Sequence, residues 1–145
     1  MATIDVLDGV RDVMATVTGV VTSYRGIPRR APGDAELPCC ITRWNVEGTG
    51  VTEVGALETW SWPIRVDLLY AQGNDLWAVE AAMLPFVEAV IEALQRHQTL
   101  KGSGAIRNPV TWRPQLIALW DTTYAGLAFL FSAENYFERA SIVAP

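Results

Sequence analysis

His97 is the only imidazole in this 145-residue sequence. A zinc-binding pair on its helix would need a second ligand at position 93 or 94, where Ala93 and Leu94 stand, so HExxH-type chemistry is excluded. At a helix end the ring instead complements the backbone dipole. Glu88 and Glu92 stand one helical turn apart, a spacing that can hold a metal or move a proton. Arg96 follows at the next turn, in the Glu-before-Arg order of a solvated face, and Asp5, Asp8 and Asp12 read the same way. Gly102-Ser103-Gly104 lacks the GxSxG spacing of a nucleophile elbow, and Gly48-Thr49-Gly50 lacks the lysine of a phosphate loop.

Cys39 and Cys40 are adjacent, and neighbours on a strand point to opposite faces, so a disulfide between them needs a strained geometry. With no CxxC motif and no nearby histidine, the reading is a pair of reduced thiols on a buried strand. Arg25, Arg29 and Arg30 form a basic cluster able to grip phosphate or an acidic neighbour; solvation or an intersubunit salt bridge is the plainer reading. No catalytic constellation and no metal site emerges, so no enzyme activity and no cofactor are expected.

The elements that carry these residues follow from periodicity. Thr3 reads as an N-cap, and Ile4, Leu7, Val10, Met14 and Val17 form the apolar stripe of a helix of about four turns that stops near Gly19. Val20 to Tyr24 starts an extended segment, and residues 25–38 form a proline-rich loop ending in Leu37-Pro38. Cys39 to Trp44 reads as a buried strand. Residues 45–58, with Gly48, Gly50 and Gly55, read as a long hairpin connection or a flexible arm. Thr59 to Tyr70 alternates as a strand, with Pro63 marking a bulge or an edge. Asp75 caps a helix from Leu76 to about His97, roughly 30 Å long, that Pro85 should kink. Two short strands, Ala105 to Val110 and Leu116 to Trp120, then precede a closing strand from Leu127 to Phe137. The expected fold is one α+β domain over residues 1–145, a mostly antiparallel β-sheet packed against an N-terminal helix and a long central helix.

Composition narrows the function. Half the residues are apolar and 19% are charged, enough to build a core. The formal net charge is −5, with a single lysine, which argues against a protein that grips nucleic acid and against a polybasic membrane anchor. Met1 to Val10 lacks the basic region of a signal peptide, and the apolar run Leu127–Phe131 is far shorter than the roughly 20 residues of a membrane span. A cytosolic protein is expected. The six tryptophans divide into an expected core group, Trp60, Trp62 and Trp120, and an expected interface group, Trp77, Trp112 and Trp44.

The whole-chain order of an amphipathic helix, a loop ending in Leu37-Pro38, an alternating strand, a long helix and Tyr124-Ala125-Gly126-Leu127-Ala128-Phe129 entering the last strand resembles the tail terminator and tail-completion (head-tail joining) proteins of long-tailed bacteriophages. The resemblance implies a homo-oligomeric ring, usually a hexamer, in the virion tail and assembled in the host cytoplasm. Such a ring caps the tail-tube protein, ends tube growth and docks to the head-side connector, while DNA passes through its lumen without specific binding. It implies that the arm at residues 45–58 and the loop from Arg25 to Pro38 face neighbouring rings, and that no residue is catalytic. Two alternatives stand beside it: a neck or stopper connector protein, and a small-ligand-binding α+β domain that uses its tryptophans as pocket walls.

Overall fold

In a computed structural model, residues 3–45, 50–54, 57–98 and 105–138 are described. Helix α1 (Thr3–Ala15) leads into β1 (Thr22–Arg25), a 3-10 turn (Asp34–Glu36) and β2 (Cys39–Trp44). There follow β3 (Gly50–Val54), β4 (Leu57–Gln72), α2 (Leu76–Arg96), β5 (Ala105–Leu119) and β6 (Thr122–Glu138). The described strands form one six-stranded sheet in the order β1-β2-β4-β6-β5, with β3 also paired to β4. The β1–β2 pair is parallel and the other pairs are antiparallel. The α+β reading therefore holds.

Each helix forms because one face of it is apolar. In α1, Val6, Leu7, Val10, Val13 and Met14 are buried, a stripe two residues wide. The expected stripe omitted Val6 and Val13, both fully buried. Thr3 is the first helical residue rather than a flanking cap, and Thr16 closes the other end by donating its hydroxyl to the Val13 carbonyl at 2.6 Å. The reversal then needs a left-handed residue, which Gly19 supplies at φ +92; the Phe86 ring lies 3.1 Å from where a Cβ would be. In α2, the Asp75 carboxylate accepts from the Ala78 N–H at 3.1 Å, and Met83, Val87, Val90, Ala93 and Leu94 turn inward. The helix continues through Pro85, which lies on its exposed side, where water can take the carbonyl that proline leaves unpaired.

Successive strand residues point to opposite faces, and both faces of this sheet bury apolar groups. On one face Cys40, Ile64, Val66, Leu68, Leu127, Phe129 and Phe131 meet α1 and α2 in the main core. On the other, Cys39, Ile41, Leu69, Ile117, Leu119 and Tyr124 form a second core, covered by Tyr24, Ala31 and Leu37. The proline-rich loop is thus the lid of the second core.

Three sequence expectations need correcting. First, of the two readings of residues 45–58, the described part agrees with the hairpin and not with a flexible arm. Gly50–Val54 is a strand, paired to residues 57–61 of β4; Gly48 and Gly55 lie outside the described residues. Strand β2 pairs with residues 64–69 of the same β4 edge, so β2 and β3 share that edge with a break between them. Pro63 sits opposite the break. Its carbonyl accepts from the Asn45 N–H at 3.0 Å, so its missing donor faces the side where the neighbouring row is interrupted. Second, β5 is one strand through Trp112 rather than two short ones. Its register slips between Arg107 and Thr111, around Pro109. Third, Trp120 is not in the core. It occupies the tight turn between β5 and β6 with φ +56, stands exposed, and donates its indole N–H to the Pro28 carbonyl at 3.0 Å. The side chains of Trp60 and Trp62 lie outside the described set.

Candidate functional site: an apolar flank of the long helix and edge strand

Helix α2 buries Met83, Val87, Val90 and Leu94 against the sheet, which leaves a flank of the helix beside β5. Ile91 and Leu94 face Ile106 and Val110 of β5 across an open hollow of about 400 Å³. Seven residues make nearly two helical turns, so Trp77, Leu84 and Ile91 share that flank. On β5, Trp112 pairs with the core residue Phe129, which sets its side chain on the helix side of the sheet, and Pro114 and Leu116 follow at even spacing. Among the described strands, β5 has β6 as its one neighbour and forms an end of the sheet.

The outcome is a row of large apolar groups in solvent. Trp77 is 87% exposed, Leu116 44%, Trp112 41% and Leu84 41%. Single exposed apolar residues are ordinary, but several on one flank, two of them tryptophan, match the composition of an interface centre. Glu80 and Glu88 lie on the same side of the helix, between and beyond the apolar residues. Trp77 and Trp112 were legible in the sequence. The one sequence signal for Leu84 is its seven-residue spacing from Trp77 and Ile91, and Leu116 shows only as part of a strand pattern.

The other candidate residues are placed elsewhere. Trp44 is half-buried against the main core, because its even position in β2 turns it toward the helices, so it is not part of the exposed flank. Arg25 pairs with Asp8 of α1 at 2.7 Å. Arg30 pairs with Glu36 at 3.1 Å, and Glu36 also accepts from the Tyr24 hydroxyl. Arg29 is exposed and makes no ion pair among the described residues. The basic cluster therefore splits: Arg25 ties β1 to α1, Arg30 contacts its own loop, and Arg29 faces outward. Glu92 and Arg96 form the expected surface pair.

The charged group that the sequence did not single out is Asp67, 1% exposed on the second face of the sheet. Arg43 donates to one carboxylate oxygen from Nε at 3.1 Å and Nη2 at 2.9 Å, and Arg65 donates to the other at 2.7 Å. Both oxygens are occupied, so the group is a strut between β2 and β4 rather than an acid awaiting a substrate. The cysteines sit in the two cores, one on each face. Burial, helped by the Glu36 charge, pushes the Cys39 thiol from its ordinary 9.0 to about 12; burial, with the charges of Cys39 and Asp67, pushes Cys40 up as well. Neither is poised as a nucleophile. Among the described residues no group of three or more His, Cys, Asp or Glu side chains comes together as a metal site.

The chain matches no protein-family model, and no curated protein is similar to it. Among the described residues no helix is long and apolar enough to cross a membrane.

Proposed function

We propose that this chain is the structural subunit of a ring, of the tail-terminator kind, in the virion of a long-tailed bacteriophage. The ring, hexameric in such proteins, caps the tail tube, stops its polymerisation and docks to the head-side connector, with DNA passing through without specific binding. The observation that carries this reading is the exposed row Trp77, Leu84, Trp112 and Leu116 on one flank of the domain. A subunit whose function is assembly needs such a surface and needs no reaction. The whole-chain resemblance described above supports the same reading, and the acidic balance of −5 suits a lumen that lets DNA pass.

The test is assembly. Purified protein, followed by light scattering and negative-stain imaging, is expected to form rings, alone or on addition of tail-tube protein, and to cap purified tubes. A stable monomer that never forms rings, even with tube protein present, overturns the reading. Binding to the portal side in place of the tube end would assign the chain to the stopper position instead. A shift of tryptophan fluorescence on titration with a small ligand, in a persistent monomer, would favour a pocket.

A further inference from the structure

Two unpaired strand edges flank the same stretch of β4. Strand β6 runs past β5: Ala105, the first residue of β5, pairs with Glu134, so Asn135–Glu138 have β4 on one side and no described strand on the other. Residues 57–61 of β4, which pair with that end of β6, carry β3 on their other side, and β3 pairs with β4 alone among the described strands. Alternation fixes which backbone groups point outward. Val54 and Leu57 pair with two residues between them, so their N–H and C=O groups face each other, as do those of Thr52 and Thr59; those of Val51 and Glu53 turn away from β4. Leu119 and Thr122 face each other in the same way, so the even residues of β6 point toward β5. The bulge adds residues to β5 only and leaves that parity intact, so beyond Ala105 the Tyr136 and Glu138 groups point outward.

Other free edges of the sheet are blunted against pairing. Pro114 stands in β5 where an N–H would point outward, Pro109 sits in the bulge, and β1 has only four residues. Gly50–Val54 and Asn135–Glu138 contain neither proline nor lysine. We propose that copies of this chain join through these two unblunted edges, the β6 end of one copy pairing in parallel with β3 of the next. The inference rests on the ring reading and deepens it by naming the strands that meet. Within one copy β3 and β6 both run antiparallel to β4, hence parallel to each other, so a neighbour in the same orientation presents its β3 in the matching direction. The Tyr136 N–H then donates to the Val51 carbonyl, the Glu53 N–H to the Tyr136 carbonyl, and the Glu138 N–H to the Glu53 carbonyl. This register sets Glu53 opposite Phe137 and Glu138 opposite Val54, so no two acids face each other. A second copy is the partner because every copy carries both halves of the contact, at one level along β4. Two-fold pairing of β3 with β3 would leave the β6 end open; head-to-tail pairing fills both edges and closes into a ring when the rotation per subunit allows.

The test removes one outward donor from each edge in full-length protein, by Glu53→Pro and by Tyr136→Pro, neither of which takes a bond from the chain's own ladder. Ala118→Pro, at an outward position of β5, is the control. Each variant is checked for native circular dichroism. Wild type and the control are expected to form rings in light scattering, and the two edge variants to run as monomers at the same concentration. Mixed in equal amounts, the edge variants pair through the one intact edge each retains, giving a species of twice the 15.9 kDa monomer mass and no ring. Hydrogen exchange on wild type needs no variant: the Glu53, Tyr136 and Glu138 amides should slow on assembly while that of Ala118 stays fast. Rings from either edge variant, a monomeric mixture, or no change in those amides on assembly would show the edge pairing to be wrong while the ring reading survives. So would a dimer lost in Glu53→Pro but kept in Tyr136→Pro, which would mean that β3 meets β3. If wild type stays monomeric with tube protein present, both readings fall together.

Discussion

The Tyr124 hydroxyl donates a 2.7 Å hydrogen bond to the carbonyl of Pro32, 92 residues earlier in the chain. The same carbonyl accepts from the Gln72 side-chain amide at 3.3 Å, and Trp120 reaches the Pro28 carbonyl from the neighbouring turn. A loop that composition alone would leave irregular is thereby fastened to β4, to β6 and to the turn before it. It covers the second core because those strands hold it there.

Replacing Tyr124 by Phe leaves a buried carbonyl short of its principal donor. The expected cost is about 1–2 kcal/mol, seen as a lower urea midpoint with an unchanged slope. Trypsin should also cut faster after Arg29 and Arg30. Cleavage at the wild-type rate would mean that the bond does not hold the loop.

The Asp67 strut predicts an asymmetric pair of variants. Asp67→Ala leaves two guanidinium groups facing each other without their carboxylate, at a cost of about 3 kcal/mol, the low end for broken buried pairs because Arg43 and Arg65 can turn toward solvent. Arg43→Ala should cost clearly less, since Arg65 still holds the other oxygen. Urea melts of the two proteins compare them directly, and equal losses would contradict the assignment.

Gly126 and Gly26 should respond to alanine for different reasons. A Cβ at Gly126 would stand 2.2 Å from the Leu68 carbonyl oxygen, so β4 and β6 would have to part; a loss of at least about 3 kcal/mol, or failure to fold, is expected. Gly26 has open space around it but φ +81, so alanine there should cost only about 1 kcal/mol. Thermal melts that rank the two in the opposite order would show that the close approach of the two strands is absent in solution.

The titratable groups narrow stability from both ends of the pH scale. The hydrogen bond from Tyr24, outweighing a small desolvation, holds the Glu36 carboxyl below its ordinary 4.5, so its contribution is present above that value and is lost as pH falls through the lowered one. Burial, then the bond and charge of Glu36, raise Tyr24 from 10.0 to about 12, and burial raises both thiols. Their neutral forms are favoured in the fold, so stability is full below about pH 9 and declines as pH climbs toward 12. A thiol-reactive disulfide reagent at pH 8 should label Cys39 and Cys40 only after denaturant is added; rapid labelling of the native protein would contradict their burial.

Much of this was legible in the sequence where one periodicity dominates. The stripe of α2 and its Asp75 cap located that helix to within a residue, and alternation from Thr59 to Tyr70 located β4. Strand β5 was hidden because Asn108, Pro109 and Pro114 punctuate it as a loop would; pairing to β6 overrides that signal, and an edge strand tolerates proline. Trp120 was misplaced because it extends the apolar run of β5 and nothing in the residue type announces a left-handed turn position. Of the candidate surface, Trp77 and Trp112 were found by type. Trp44 was lost because its facing depends on the register of β2, which no local pattern displays.

Strand β4 pairs along one edge with β6, which is made only after α2 and β5, so a nascent chain emerging from the ribosome displays that unpaired edge through the synthesis of more than fifty further residues. During that interval the edge can pair with other chains, and these long-separated strands must find each other last. Yield of soluble protein should therefore depend on elongation rate and on chaperones that hold exposed strands, far more than on the stability of the finished fold.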